Sequence, residues 1–443
     1  DSHSGFVTAS GYNAGAGTIY TKAASQTSGT LKISNKYNAT QSTGTSGAYT
    51  PLINSIDVDN LIISDNASVS VLSGADITVS TIANFDLLSG SSLSISSNAK
   101  LTVPAIANLN LAQGSTFNNF GTFDASGSFL SSMAINGAYV SNSSATNIFP
   151  SNVTVGSTGV ISHPAGARLD LSFVNLTIDT GGKINADGLG FAAGSGPASG
   201  STHQVGASHG GQGSGNSAAT YGSVTEPITL GSGGGASYGA GGGAIKLNVS
   251  GTLTNNGSIS ANGGASYYSP GAGGSVWVNF TDEKSTWSGS GSITANAGIP
   301  SNSAYGVSGG GRISIDGYGT DTHSGFTTAA GYYASAGTVF TRSTSQTNGV
   351  LTISNKYNAT NVTGVGATYT PIRELDFSNV DSLILSSNTA ARVLNGTSFT
   401  TPVGLSMTLN SSTSLSIEAG ATFIPAIGST INQNAGSTIN NFG

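Results

Sequence analysis

Two carboxylates placed two residues apart on a strand project from one face, where they can divide acid and base roles. Asp57-Val58-Asp59 is the nearest approach to that arrangement in this chain. An internal repeat places Asn379 and Asp381 at the matching positions, so the pair is not kept there, and a solvated strand edge accounts for it. Asp282-Glu283-Lys284 is the densest charge cluster and reads as a polar turn. The histidines are His3, His163, His203, His209 and His323. His203 and His209 share a stretch without a third ligand, whereas zinc needs three or four converging groups. His3 and His323 hold the same repeat position, as a packed or hydrogen-bonded turn residue would. Carboxylates are too sparse for calcium, and neither an EF-hand loop nor a calcium-binding nonapeptide is present. The runs Gly233–Gly235 and Gly241–Gly243 lack the following Gly-Lys-Ser/Thr of a phosphate loop. No Gly-x-Ser-x-Gly comes with triad partners. We therefore expect no enzyme, and no catalytic, cofactor-binding or metal-binding residue. Tyr267, Tyr268, Trp277 and Trp287 are the remaining hint of binding, since exposed aromatics stack on sugar rings. Packing explains them better, because Trp277 sits between Val276 and Val278.

The elements that hold these residues are built from an unusual composition. Charged residues are only 7% of the chain, against about 25% in ordinary globular proteins. Thirteen Lys+Arg and 19 Asp+Glu leave a net charge of −6, which cannot neutralise a row of phosphates and excludes a nucleic-acid partner. No apolar run approaches the ~18 residues of a membrane span. The absence of cysteine removes disulfides, thiolate metal sites and Cys nucleophiles. The 65 Gly and 11 Pro stay below the share found in unstructured low-complexity chains. A Gly, Ser, Thr and Asn composition fits secreted surface proteins, so an extracellular, cell-surface location is expected. The sequons, among them Asn38, Asn66, Asn175, Asn248, Asn279 and Asn358, are as frequent as composition alone supplies. With Asp1 first and no leader in sight, we expect a signal peptide to be removed or to lie upstream.

A long repeat dominates the chain. The segment from Asp1 recurs from Asp321, with 31 identities in the first 50 positions and no gap. Further on the offset lengthens by two, so Leu61 meets Leu383, Leu93 meets Leu415 and Phe120 meets Phe442. Residues 1–320 thus form one full repeat of ~320 residues and 321–443 the first part of the next. The break in mid-repeat leads us to expect a larger parent molecule or assembly.

A finer period runs inside it, over about 61–120. Apolar residues return every eighth position at Leu61, Val69, Ile77, Phe85, Leu93, Leu101, Leu109 and Phe117. Most have an apolar partner two places on, such as Ile63, Val71, Val79 and Ile95. An apolar–polar–apolar triplet is a short strand with one face buried, and turn-formers such as Ser73-Gly74-Ala75 fill the gaps. Short strands at a fixed short period predict an all-β parallel β-helix, or β-solenoid. The rung could hold 16 residues on two sides or 24 on three, and the three-sided form is favoured. An array of β-sandwiches is the competing architecture, but it prefers longer strands and hairpin turns.

Over about 182–312 the coil is expected to continue with Gly-rich loop excursions. Gly-x-Ile-x-Ala occurs at Gly182–Ala186, Gly257–Ala261 and Gly291–Ala295, and each precedes a Gly-rich stretch that ends in a new strand. The blocks GAGTIYTK…GTLKISN at Gly15–Asn35 and SAGTVFTR…GVLTISN at Ser335–Asn355 join these motifs in a family likeness. Together they resemble the very large repetitive surface proteins of bacteria. That resemblance implies secreted adhesins or fibre proteins with parallel β-helical stalks, and it supplies no catalytic residues. The expected function is structural: a stiff rod within a fibre, filament or adhesin stalk. Its expected partners are copies of itself or further repeats of the chain, with surface glycans as another class. The alternative is a β-helical carbohydrate-binding or carbohydrate-cleaving protein, which a groove lined by acidic and aromatic residues would favour.

Overall fold

The computed structural model describes residues 9, 15–35, 48–79, 85–103, 109–125, 132–215, 220–235, 238–301, 306–355, 369–372 and 376–443. No helix occurs among them. Two compact units are present. One comprises Asp1–Ser162, Leu171–Ile184 and Val249–Gly257, and the other His163–Asp170, Asn185–Asn248 and Ser258–Gly443.

In the first unit, short strands stack in parallel on three sheets. Val69 lies opposite Leu93, and Leu93 opposite Phe117, so each of these two steps advances the chain by 24 residues. The same advance separates Ile77 from Leu101 and Phe85 from Leu109. Three eight-residue edges therefore make one turn, and the choice between 16 and 24 is decided. The alternation within Ser92–Ile95 buries Leu93 and Ile95 and leaves Ser92 and Ser94 half-buried.

The corners explain the remaining residues of the octad. Ala75 N–H donates to Leu72 O (3.0 Å), and Gly74 takes φ +87°. Ser91 to Leu88 (3.0 Å, with Gly90 at φ +77°) and Ala99 to Ser96 (3.0 Å, with Asn98 at φ +61°) repeat this form. A turn with its third residue left-handed calls for Gly or Asn. The residue after the turn points inward and is small, as at Ala75, Ser91, Ala99 and Ser115. Toward the later rungs the core becomes aromatic: Phe117 meets Phe123 edge-on at 5.1 Å, and Phe149 stacks on Phe173 at 4.8 Å.

In the second unit, the strands after residue 380 repeat the 24-residue advance, with Leu383 opposite Met407 and Met407 opposite Ile431. Earlier strands are longer and carry more of the packing. Ser275–Phe280 pairs in parallel with Arg312–Tyr318, which pairs with Thr338–Ser343. Asp316 and Arg342 face each other there and form a two-pronged ion pair at 2.7 and 2.8 Å.

One departure from a purely parallel coil recurs in both copies of the long repeat. Thr18–Thr21 pairs antiparallel with Thr30–Ser34, and Thr338–Ser343 does so with Gly349–Ser354. The registers match residue for residue, Ile19 to Lys32 in one and Val339 to Thr352 in the other. Alternation alone does not reveal strand direction, and the octad period begins only after this hairpin.

Candidate functional site

The structure separates most of the residues that could have acted together. Asp57 is exposed on Ile56–Val58, while Asp59 lies beyond the strand end and is 2% exposed. The spacing does not bring the two carboxylates onto one face, because the alternation stops at Val58. Asp59 is not a solvated edge residue either. One of its oxygens accepts from the N–H groups of Ser28 (3.1 Å) and Gly29 (2.8 Å), which ties down the first hairpin's turn. In the second copy Asn379 and Asp381 are both exposed. Asp282, Glu283 and Lys284 form an exposed turn, in which Asp282 accepts from Lys284 N–H at 2.8 Å.

The histidines also go separate ways. His3, Asn38 and Asn358 lie outside the described residues. His203 is exposed, with its ring 5.8 Å from that of Tyr268, whereas His209 is wholly buried. His163 is buried, with Nδ1 2.8 Å from Pro164 O, and burial pushes its pKa down. His323 stacks on Trp287 at 4.4 Å and reaches Gly291 O at 3.0 Å. Among the described residues no three His, Asp or Glu side chains converge as metal ligands.

Several Gly-rich stretches of the second unit are interior, whereas residues 201–204 are exposed. Residues 231–235, 241–245 and 306–315 are buried throughout. Their hydrogen bonds do not form ladders. Gly241 N–H donates to Phe191 O (2.9 Å), Gly242 to Ala272 O (2.9 Å) and Gly243 to Ala186 O (2.8 Å), in three different segments. Gly309, Gly310 and Gly311 likewise reach Ala207, Ser335 and Ala295. Along 271–274 the acceptors are Gly264, Ser232, Gly309 and Ala261, so the fourth donor returns to the segment used by the first. Donors that rotate by a third of a turn per residue belong to extended threefold chains, which bond sideways rather than internally. Such chains pack closely because no Cβ intervenes. A Cβ on Gly241 would lie 1.8 Å from Gly231 O, and one on Gly310 1.9 Å from Ala329 O.

This glycine-packed interior encloses a polar cluster that sequence reasoning missed. Arg312 is 0% exposed, and its Nε donates to Tyr221 O (2.7 Å) and Nη1 to Thr338 Oγ1 (3.1 Å). His209 places Nδ1 2.7 Å from Gly273 O and Nε2 2.8 Å from Thr229 Oγ1. A carbonyl on one nitrogen and a hydroxyl on the other fit a neutral ring, with Nδ1 donating and Nε2 accepting. Burial, and the nearby Arg312 guanidinium, push its pKa down to about 3. Tyr221 packs 4.6 Å from the ring, and burial holds its phenol above the usual range. Gly206-Ala207-Ser208-His209-Gly210 has Gly-x-Ser-x-Gly spacing, yet Ser208 is fully buried and its Oγ accepts from Gly213 N–H (2.9 Å). The cluster braces segments far apart in sequence.

One cleft of about 230 Å³ does combine acidic and aromatic residues: Asp170, Glu226 and Trp277, with Arg168 and Lys246. Three of its groups are committed to one another. Lys246 lies 4.4 Å above the Trp277 ring and 3.8 Å from Asp170, which also accepts from Asn248 (3.2 Å). The Trp277 face is therefore covered by a cation rather than open to a sugar. Of the other aromatics, Trp287 is buried under His323, while Tyr267 is 57% exposed.

The fold and these placements define an all-β repeat protein with stacked parallel sheets of the β-solenoid kind. Comparison with protein families, curated proteins and solved structures finds no match.

Proposed function

We propose that this chain is a structural repeat segment of an extracellular fibre, filament or adhesin stalk at a cell surface. In this reading the stacked rungs provide stiffness, and no residue has a catalytic role. The low charge and the Gly, Ser, Thr and Asn composition support an extracellular setting. The observation that carries the reading is the regular stacking of short parallel strands, with Leu93 opposite Phe117 in one unit and Leu383 opposite Met407 in the other, each a 24-residue advance. Backbone pairing of this kind runs from rung to rung, so further repeats can add to it. The partners in this reading are copies of the chain or further repeats of it, with surface glycans as targets of the assembled rod.

Sedimentation across a concentration series, with imaging of the associated species, tests the proposal. Association into elongated species is expected. A monomer that persists at high concentration would overturn the reading.

A further inference from the structure

Three consecutive rungs of the second unit carry a surface groove that the rod role does not use. Ser258–Ser260 pairs in parallel with Ser292–Thr294, which pairs with Thr327–Thr328. Each strand leads into a segment without regular structure, at Asn262, Asn296 and Ala330. These segments are joined by side chains as well as by backbone. Asp187 Oδ1 accepts from Asn262 N–H (2.6 Å), Asn262 Oδ1 from Asn296 N–H (2.8 Å) and Asn296 Oδ1 from Ala330 N–H (2.7 Å). The ladder uses only the oxygen of each amide. The Nδ2 groups of Asn262 and Asn296 have no hydrogen-bond partner among the described residues. They form a row of donors spaced by the rung repeat of ~4.8 Å.

Both asparagines line a groove of about 300 Å³, together with Ala265, Ile299 and Tyr332. That is the lower end of the range for small-molecule sites. Ile299 is 57% exposed there, an apolar side chain left open beside amide donors. No Asp, Glu, Lys, Arg or His contributes to the lining. Tyr332 meets Tyr333 edge-on at 4.7 Å. Tyr333 has a left-handed backbone (φ 56°), whereas the other six such non-glycine residues described are Asp, Asn or Ser. A bulky residue in that region is strained, and strain concentrates where a site must be shaped.

The lining selects its ligand by elimination. A charged ligand would lose hydration without meeting an opposite charge. A wholly apolar ligand would desolvate the amide donors and return no acceptor. A pyranose ring has an apolar C–H face for Ile299 and Tyr332, and hydroxyl oxygens for a row of N–H donors. We propose that this groove binds a short neutral saccharide, with Asn262 and Asn296 donating to its hydroxyls and Tyr332 and Ile299 covering its face. The site is independent of rod assembly, which is scored separately by sedimentation.

Titration calorimetry of the full chain with cellobiose, maltose and N,N′-diacetylchitobiose tests the proposal, beside sulfated and uronate-containing disaccharides. At least one neutral sugar should bind at millimolar concentration or better, and the anionic ones should bind more weakly. Asn296→Asp is the decisive variant, because Asp187 shows that a carboxylate can serve this ladder. It keeps the accepting oxygen and removes the donor, so affinity should fall roughly tenfold or more with the unfolding midpoint little changed. Ile299→Ser alters an exposed side chain and should weaken binding as well, which keeps the test open if N296D unfolds. Tyr267→Ala, outside the groove, should change nothing. Failure of every neutral sugar to bind, preference for the anionic set, or binding that survives both groove variants would overturn the proposal.

Discussion

The octad coil over residues 61–120 and the glycine-packed interior around residues 231–311 solve the same problem with opposite materials. In the coil, side chains fill the space inside each turn, and the corners need only a small residue and a left-handed Gly or Asn. In the glycine-packed region, the backbone itself is the filling, and hydrogen bonds leave each chain in three directions. The coil tolerates change at most outward positions, because a side chain there has solvent to enter. The glycine core has no such latitude, since nearly every Cβ would occupy the place of a neighbouring carbonyl. Low apolar content in the second region therefore does not mean a small core. Its core is built of peptide groups.

The sharpest way to break this comparison is a single methyl group. Gly310→Ala would place Cβ 1.9 Å from Ala329 O, so the packed segments must separate. Destabilisation beyond ~4 kcal/mol is expected, seen as lost hydrogen-exchange protection in Arg312–Tyr318. Gly74→Ala in the coil meets nothing within 4 Å and keeps only the strain of φ +87°, about 1–2 kcal/mol. Equal effects for the two variants would show that the glycine region is not backbone-packed.

The next largest effect tests the coil. Leu93 is 0% exposed, so Leu93→Asp buries an unpartnered carboxylate and should cost several kcal/mol. Ser94→Asp, on the opposite face, should be nearly silent, with only the 3.2 Å hydrogen bond from Asn118 at stake. Urea unfolding of both variants measures the contrast, and similar midpoints would show that the inside–outside alternation is misread.

The smallest expected effect is a pH dependence of the glycine core alone. The folded pKa of His209 is lowered to about 3, while the unfolded chain takes up the proton near 6.5. The neutral ring thus contributes stability that is fully present above pH 6.5 and is lost as pH falls toward 3. Burial is the largest cause of that shift and Arg312 the second, against the hydrogen bond to Gly273, so charging the ring would set two cations together inside. The difference in stability between wild type and His209→Gln should shrink over that window. A difference that stays constant from pH 7 to pH 4 would remove His209 from the acid response.

Much of the coil was legible because a three-sided turn imposes a period that short-range chemistry can display. Leu61, Val69 and Ile77 recur every eighth residue since each must reach the same interior, and Gly74, Gly90 and Asn98 mark the corners. The Gly-x-Ile-x-Ala motif also announced stacked strands, since Ile259 lies directly opposite Ile293. The Gly-rich segments between them carry no period, because glycine has no side chain with which to show one. Expected as loop excursions, residues 231–235 and 241–243 are buried, while 201–204 are exposed. The groove was equally hidden: Asn262 and Asn296 follow the motif in sequence, but only stacking aligns their amides.

Composition, octad period and long repeat determine an all-β, low-charge solenoid, since local alternation and turn chemistry depend on residues close together in the chain. Tertiary structure alone decided three things. It made the first hairpin of each repeat antiparallel, it turned the glycine runs at 231–235 and 241–243 into an interior, and it set His209 beside Arg312. Each depends on segments brought together across long sequence separations, as when Gly210 N–H donates to Gly310 O at 3.0 Å. Close backbone approach of that kind leaves no trace in the sequence except the absence of side chains.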